Sequence, residues 1–291
     1  MNKQTKIIVT GFKGQLGFEC VEELLRRGYT NVLGIDKDEL DLTDENAVKS
    51  FFRKEKPNVI MHNAAWTQVD KAEEQKDLVY KINSLAPKYL AEVSKELNAK
   101  IVYISTDYVF NGKGNKPFEV SDKKEGLSIY GLSKSKGEDF IKESTDKYFI
   151  VRTSWVFGKN GHNFVETMLN LADSGLKEIK VVDDQIGSPT YAKDLAVLLC
   201  DMIETDKYGI YHATNEGFTS WAEFAKTIFD FTGKETKVVG VSTDEYKKIN
   251  PNQASRPLNS RLSKKSLDDN GFKRLPLWQD ALKRYLKEKG E

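Results

Sequence analysis

The stretch Lys6-Ile-Ile-Val-Thr10-Gly11-Phe-Lys-Gly14-Gln-Leu-Gly17-Phe18 decides the fold. Its first five residues form a short, β-branched apolar run, the pattern of a strand buried on both faces. Three glycines follow at even spacing, and a helical pattern opens directly behind them. Strand, glycine turn and helix start, in that order, make a cradle for a dinucleotide. The glycines permit a tight turn, close backbone approach to a pyrophosphate and close helix–sheet packing. The helix start adds free N–H groups and the positive end of a dipole. Gly11, Gly14 and Gly17, with Gln15 and Leu16 between them, are the expected phosphate-binding positions.

Outward from this turn the pattern repeats. Residues 31–35, 59–62, 101–105, 149–153 and 209–213 read as further strands. Between them lie helical periods: Phe18 to Arg27 with Val21, Leu24 and Leu25 on one side, Pro87 to Leu97 with Leu90, Val93 and Leu97, Phe164 to Asp173, and Leu195 to Ile203. Repeated strand–helix–strand units predict an α/β fold: a doubly wound parallel sheet with right-handed crossovers. After residue 157 the pattern changes, and the C-terminal quarter is helix-rich with Pro251, Pro257 and Pro276. The expected division is a dinucleotide-binding domain of residues 1–157 and 189–214. A smaller, sequence-discontinuous substrate lobe takes residues 158–188 and 215–291.

Composition narrows the function. Lys and Arg number 45 against 44 Asp and Glu, so no strong field recruits nucleic acid or an acidic membrane. No apolar run approaches the roughly 20 residues of a membrane span. The N-terminus lacks the apolar core of a secretory signal. Cys20 and Cys200 fall in helical patterns and read as small buried hydrophobes, so a reducing, cytoplasmic setting is expected. His62, His162 and His212 match no metal-ligand spacing, and Asp183-Asp184 reads as a solvated loop, so no metal is expected. For assembly the sequence leaves a homodimer open.

The second strand ends at Asp36, nineteen residues after Gly17, where a carboxylate can accept hydrogen bonds from an adenosine ribose. An acid there favours NAD over NADP, but Lys37 follows and offsets the repulsion, so NADH and NADPH both stay open. Asp41 and Leu42 are read as flanking the adenine. After the third strand, Ala64 and Ala65, followed by Trp66, let a dinucleotide lie against the backbone.

Ser105-Thr106-Asp107-Tyr108 closes the fourth long strand, where open α/β sheets bind their ligands. Either hydroxyl, Ser105 or Thr106, can reach a substrate carbonyl by position; their side chains point to opposite faces, so one is expected to do so. Downstream, Tyr130 and Lys134 lie one helical turn apart. A nearby ammonium is expected to push the phenol's pKa down and suit it to proton transfer near neutral pH. The same spacing recurs at Tyr285 and Lys289, read as a solvated helix face. Chance supplies such a match, so Tyr130 draws its weight from the strand end and the glycine cradle upstream.

Taken together, the glycine loop, Asn63-Ala-Ala65, Ser105-Thr106-Asp107 and the Tyr130–Lys134 pair resemble the extended short-chain dehydrogenase/reductases, a Rossmann-type superfamily. Four further stretches resemble the dTDP-4-dehydrorhamnose reductase family within it: residues 106–112, 152–158, 184–190 and 256–261. The resemblance implies an NAD(P)H-dependent oxidoreductase that reduces the 4-keto group of a nucleotide-diphosphate sugar, dTDP-4-dehydro-L-rhamnose, in dTDP-rhamnose formation. It implies Tyr130 as proton donor, Lys134 on the nicotinamide ribose, and Thr106, rather than Ser105, on the sugar oxygen. It also implies Asp107, Trp155, Arg256 and Asn259 as substrate contacts. A 4,6-dehydratase needs a second carboxylate directly after Asp107, where Tyr108 stands. A related epimerase and a non-catalytic NAD(P)-binding regulatory subunit are the alternatives; an intact Tyr130 and Lys134 weigh against the latter.

Overall fold

A computed structural model describes all 291 residues. The first half of the chain alternates as expected. Its strands are β1 (Ile7–Thr10), β2 (Val32–Ile35), β3 (Val59–His62), β4 (Lys100–Thr106) and β5 (Tyr148–Thr153). Its helices are α1 (Gln15–Arg26), α2 (Glu45–Glu55), α3 (Val69–Ala72), α4 (Lys76–Tyr80), α5 (Ala86–Glu96) and α6 (Ile129–Ser144). Then come β6 (Val156–Phe157), α7 (Phe164–Asp173), β7 (Glu178–Val182), β8 (Ile186–Gly187), β9 (Thr190–Tyr191), α8 (Ala192–Ile203) and β10 (Gly209–His212). The chain ends with β11 (Thr219–Ser220), α9 (Trp221–Thr232), β12 (Lys237–Val241), α10 (Thr243–Ile249), α11 (Lys265–Asp269) and α12 (Trp278–Lys289).

Six strands form the main sheet in the order β2-β1-β3-β4-β5-β10, every neighbouring pair parallel. Chain progression reverses between β1 and β3. In a doubly wound sheet that reversal opens a crevice at the strands' carboxyl ends. Gly11, Asn63 and Asp107 follow directly on β1, β3 and β4, so all three segments border it.

Each face of the sheet carries its own apolar layer. On one side Leu16, Cys20 and Leu24 of α1 pack with Leu195 and Leu199 of α8. On the other, Val48 and Phe52 of α2 pack with Leu90 and Val93 of α5 and Ile141 of α6. Leu25 departs from its expectation and stays 51% exposed, because α1 buries the four-spaced row Leu16, Cys20, Leu24 and Leu25 sits about a quarter-turn beyond it. Leu267, Phe272 and Leu275, from the stretch expected in the second lobe, also complete the α1 side.

A third apolar cluster gathers α7, α9 and α12 around Phe224, Ile228, Trp278 and Leu282. Tyr285 belongs to it, 1% exposed, which corrects the reading of Tyr285 and Lys289 as a solvated face. The Tyr285 hydroxyl bonds Glu166, and Lys289 Nζ meets the same carboxylate at 2.5 Å. This second tyrosine–lysine pair is a structural staple. No helix is long and apolar enough to cross a membrane. Cys20 and Cys200 are buried and unpaired.

Candidate active site

The cradle is shaped by backbone proximity. Gly11 has φ +69°, and a Cβ on it would stand 2.8 Å from the Ala64 nitrogen. A Cβ on Gly17 would stand 2.1 Å from the Gly11 carbonyl oxygen. Only glycine lets the β1 turn, the β3 loop and the start of α1 converge this closely. No side chain caps α1, so its first N–H groups stay available to an anion. Gln15 closes the far side, accepting from Asn163 Nδ2 at 3.1 Å. A narrow, glycine-lined crevice beside an uncapped helix start fits a dinucleotide pyrophosphate.

The ribose and adenine positions are more mixed. Asp36 directly follows β2, and its carboxylate accepts from the backbone N–H of Lys13 at 3.2 Å and of Lys37 at 2.8 Å. Lys13 Nζ lies 2.5 Å from Asp38, so acids and lysines alternate there and both cofactors stay open. Asp41 is occupied locally, accepting from Thr43 N–H and Oγ1 at 2.9 and 2.7 Å ahead of α2. Leu42 is half-buried at the edge of the α2 layer.

The Ala64–Trp66 loop is held by residues that sequence reading passed over. Ala64 N–H donates to Thr10 Oγ1 at 3.3 Å, and that hydroxyl bonds His62 Nδ1 at 2.8 Å. Asn83 clamps Trp66 from both sides, accepting from its N–H at 2.8 Å and donating to its carbonyl at 3.1 Å. Asn83 also donates to Ser133 Oγ at 3.1 Å and so ties this loop to α6. The sequence carries no periodic signal for Asn83, which follows Lys81-Ile82 within a mixed polar and apolar stretch.

Helix α6 begins at the cap Ser128, whose Oγ accepts from Gly131 N–H at 3.2 Å. Tyr130 and Lys134 follow one turn apart on it. Lys134 is 2% exposed, and its ammonium lies 3.9 Å from the centre of the Tyr103 ring. Burial pushes its pKa down to about 7, against a weaker pull upward from Glu138. Burial pushes the Tyr130 phenol up to about 12; the Thr106 hydroxyl works to lower it and Asp107 to raise it. The expected acidified phenol is thus corrected. The cost of desolvating a phenolate dominates, and Lys134 Nζ lies over the Tyr103 ring. Tyr130 stays protonated at neutral pH, the form that donates.

Ser105 and Thr106 separate cleanly. Ser105 Oγ donates to Glu138 Oε1 at 2.6 Å. Glu138 is fully buried and bound by Arg152 through Nε at 2.9 Å and Nη2 at 2.8 Å. Burial would raise this carboxyl's pKa, but the Arg152 bonds outweigh it and hold it down. Thr106 instead donates to Asp107 Oδ1 at 3.0 Å and accepts from Tyr108 N–H at 3.2 Å, on Tyr130's side. Asp107 is buried, which pushes it up to about 6. Ser260 and Thr106 favour its ionised form, yet Oδ2 has no aligned partner.

The remaining expected contacts are scattered in kind. Trp155 is partly exposed and stacks on Trp221. Arg256 is paired with Asp70 of α3 through two bonds of 2.9 and 3.0 Å that join the C-terminal segment to the main domain. Asn259 is buried, and its Nδ2 donates to the Lys116 carbonyl at 2.8 Å, so its amide is spent on fastening the Gly112–Lys116 loop. Asp183 and Asp184 are exposed, as expected, and also accept from Ser220 and Thr243. No group of three or more His, Cys, Asp or Glu side chains gathers to hold a metal.

A family model for the RmlD substrate binding domain matches residues 5–290. The dTDP-4-dehydrorhamnose reductase of Aggregatibacter actinomycetemcomitans is 39% identical, over 96% of this chain and 97% of its own. The chain belongs to the dTDP-4-dehydrorhamnose reductase family. The spore coat polysaccharide biosynthesis protein SpsK of Bacillus subtilis is 42% identical, over 98% of each chain. The crystal structure of the Bacillus anthracis dTDP-4-dehydrorhamnose reductase, in complex with NADP, is 43% identical over 98% of this chain and 99% of that one, with a TM-score of 0.93. The doubly wound sheet is therefore the Rossmann-type fold of this reductase family.

Proposed function

We propose that the protein reduces the 4-keto group of a dTDP-linked 6-deoxysugar, dTDP-4-dehydro-L-rhamnose, with NADH or NADPH. The observation that carries this reading is Tyr130 one turn from Lys134 on α6, with the Thr106 hydroxyl acting on its phenol, in a chain that aligns end to end with reductases of that name. Bound in the cradle, the reduced nicotinamide supplies the hydride. Thr106 positions the ketone oxygen. Tyr130, kept protonated by burial, delivers its proton to that oxygen as negative charge develops there. Lys134 holds the cofactor's ribose through an amine whose charge returns when the anionic ligand enters.

In the same reading, residues 1–157 and 189–214 serve the cofactor while residues 158–188 and 215–291 serve the substrate. Arg256 suits the diphosphate, since a guanidinium fork matches phosphate oxygens. The two buried free cysteines agree with a cytoplasmic setting. Homodimer formation is part of the proposal and is read by light scattering. The function itself is tested by adding dTDP-4-dehydrorhamnose to protein and reduced cofactor. Oxidation of the cofactor is expected; none, with cofactor demonstrably bound, contradicts the reading.

A further inference from the structure

Trp155 has φ +50°, a left-handed conformation for a bulky residue. Such a conformation is strained and persists only where the surroundings impose it. Three neighbours do so here. The Trp155 carbonyl accepts from Thr190 N–H at 3.1 Å. Its indole stacks on that of Trp221 with centroids 3.7 Å apart and planes 15° from parallel. At Gly187 a Cβ would come within 2.8 Å of Trp155 Cε2, so the indole occupies space that only glycine leaves free.

The same contacts aim the ring. Trp221 opens α9, whose cap Ser220 accepts from Glu223 N–H at 3.1 Å, and Phe164 packs against it at 4.6 Å. The partner ring is thus fixed from the second lobe. The space beside Gly187 is shared with Ser260, which borders Asp107, and Asp107 bonds Thr106. The line from Trp155 through Gly187 and Ser260 ends at the proposed reaction centre. Gly187 lies in the Asp184–Thr190 stretch, which the proposed mechanism leaves without a task.

We propose that Trp221 and Gly187 are positioning residues for the substrate: together they hold Trp155 left-handed as a platform for the apolar face of the deoxysugar ring. This rests on the reading that Trp155 meets the sugar. Trp221 covers one face of the indole, and the part left open offers an aromatic surface to C–H groups.

The test compares Trp221→Leu, Trp221→Phe, Gly187→Ala and Trp155→Leu in the full-length protein. KM for dTDP-4-dehydrorhamnose and kcat are measured, with NADPH affinity by fluorescence. Trp221→Leu and Gly187→Ala are expected to raise KM about 5- to 10-fold, the worth of an aromatic contact, with kcat and NADPH affinity little changed. Trp221→Phe is expected to recover most of the loss. If Trp155→Leu raises KM while Trp221→Leu and Gly187→Ala do not, the inference is overturned. If Trp155→Leu itself leaves KM unchanged, the underlying reading falls instead. Should Trp221→Leu also lose NADPH binding, Gly187→Ala decides alone: a raised KM supports the inference and an unchanged one overturns it.

Discussion

Ser105 gives its hydroxyl to Glu138 at 2.6 Å, while the adjacent Thr106 turns to the other side of the strand end, toward Asp107 and Tyr130. One residue's register divides a hydroxyl committed to Glu138 from the one proposed to meet the substrate. Ser105→Ala should leave Glu138 short of a bond, lowering stability by about 1–2 kcal/mol with kcat nearly intact. Thr106→Val should cost a similar amount of stability, since Asp107 and the Tyr108 N–H each lose a partner, but should also lower kcat by about 100-fold. Denaturant melts and steady-state rates on the two variants check the split; the opposite pattern would return the substrate role to Ser105.

Glu138 and Arg152 form a fully buried ion pair beneath the site. Removing one partner strands the other's charge. Arg152→Met should destabilise the fold by about 3–5 kcal/mol, read as a lowered unfolding midpoint. A change below about 1 kcal/mol would mean that Lys124, 3.4 Å from Glu138, suffices alone.

Lys134 titrates near 7 when folded against 10.5 in the open chain. Between those values the unfolded chain binds the proton and the native one does not, so this group makes stability rise with pH across that window. Anionic cofactor should restore the charge, so binding takes up protons and affinity weakens above about pH 7. Calorimetric titrations in buffers of different ionisation enthalpy report the uptake. Lys134→Met should abolish it; an undiminished uptake would assign it to another group.

Arg256 bonds Asp70 with two nitrogens across the two parts of the molecule. A planar fork is hard to replace with a point charge. Both Arg256→Ala and Arg256→Lys should therefore raise KM for the nucleotide sugar by about 10-fold or more while cofactor affinity holds. Full function in Arg256→Lys would show that charge alone is enough.

Much of this was legible in the sequence, for physical reasons that can be named. The sheet strands are short β-branched runs, and all six appear within a residue or so of their expected bounds. The cradle is legible because only glycine meets its steric demands at Gly11 and Gly17. What escaped is long-range and polar. Asp70 and Arg256 are 186 residues apart, and no periodicity links them. Asn83 lies in a π-helical turn of Lys81–Leu85 that no apolar pattern marks. The direction of the Tyr130 shift was also hidden, because spacing shows that Lys134 is near but not how far each group is withdrawn from water. The same limit made Tyr285 look solvated.

The most direct measurement is single-turnover reduction of dTDP-4-dehydrorhamnose by the native protein and by Tyr130→Phe, each saturated with reduced cofactor. The account predicts that the variant binds cofactor normally and reduces the ketone about 100- to 10,000-fold more slowly. A Tyr130→Phe protein that turns over at close to the native rate would contradict it.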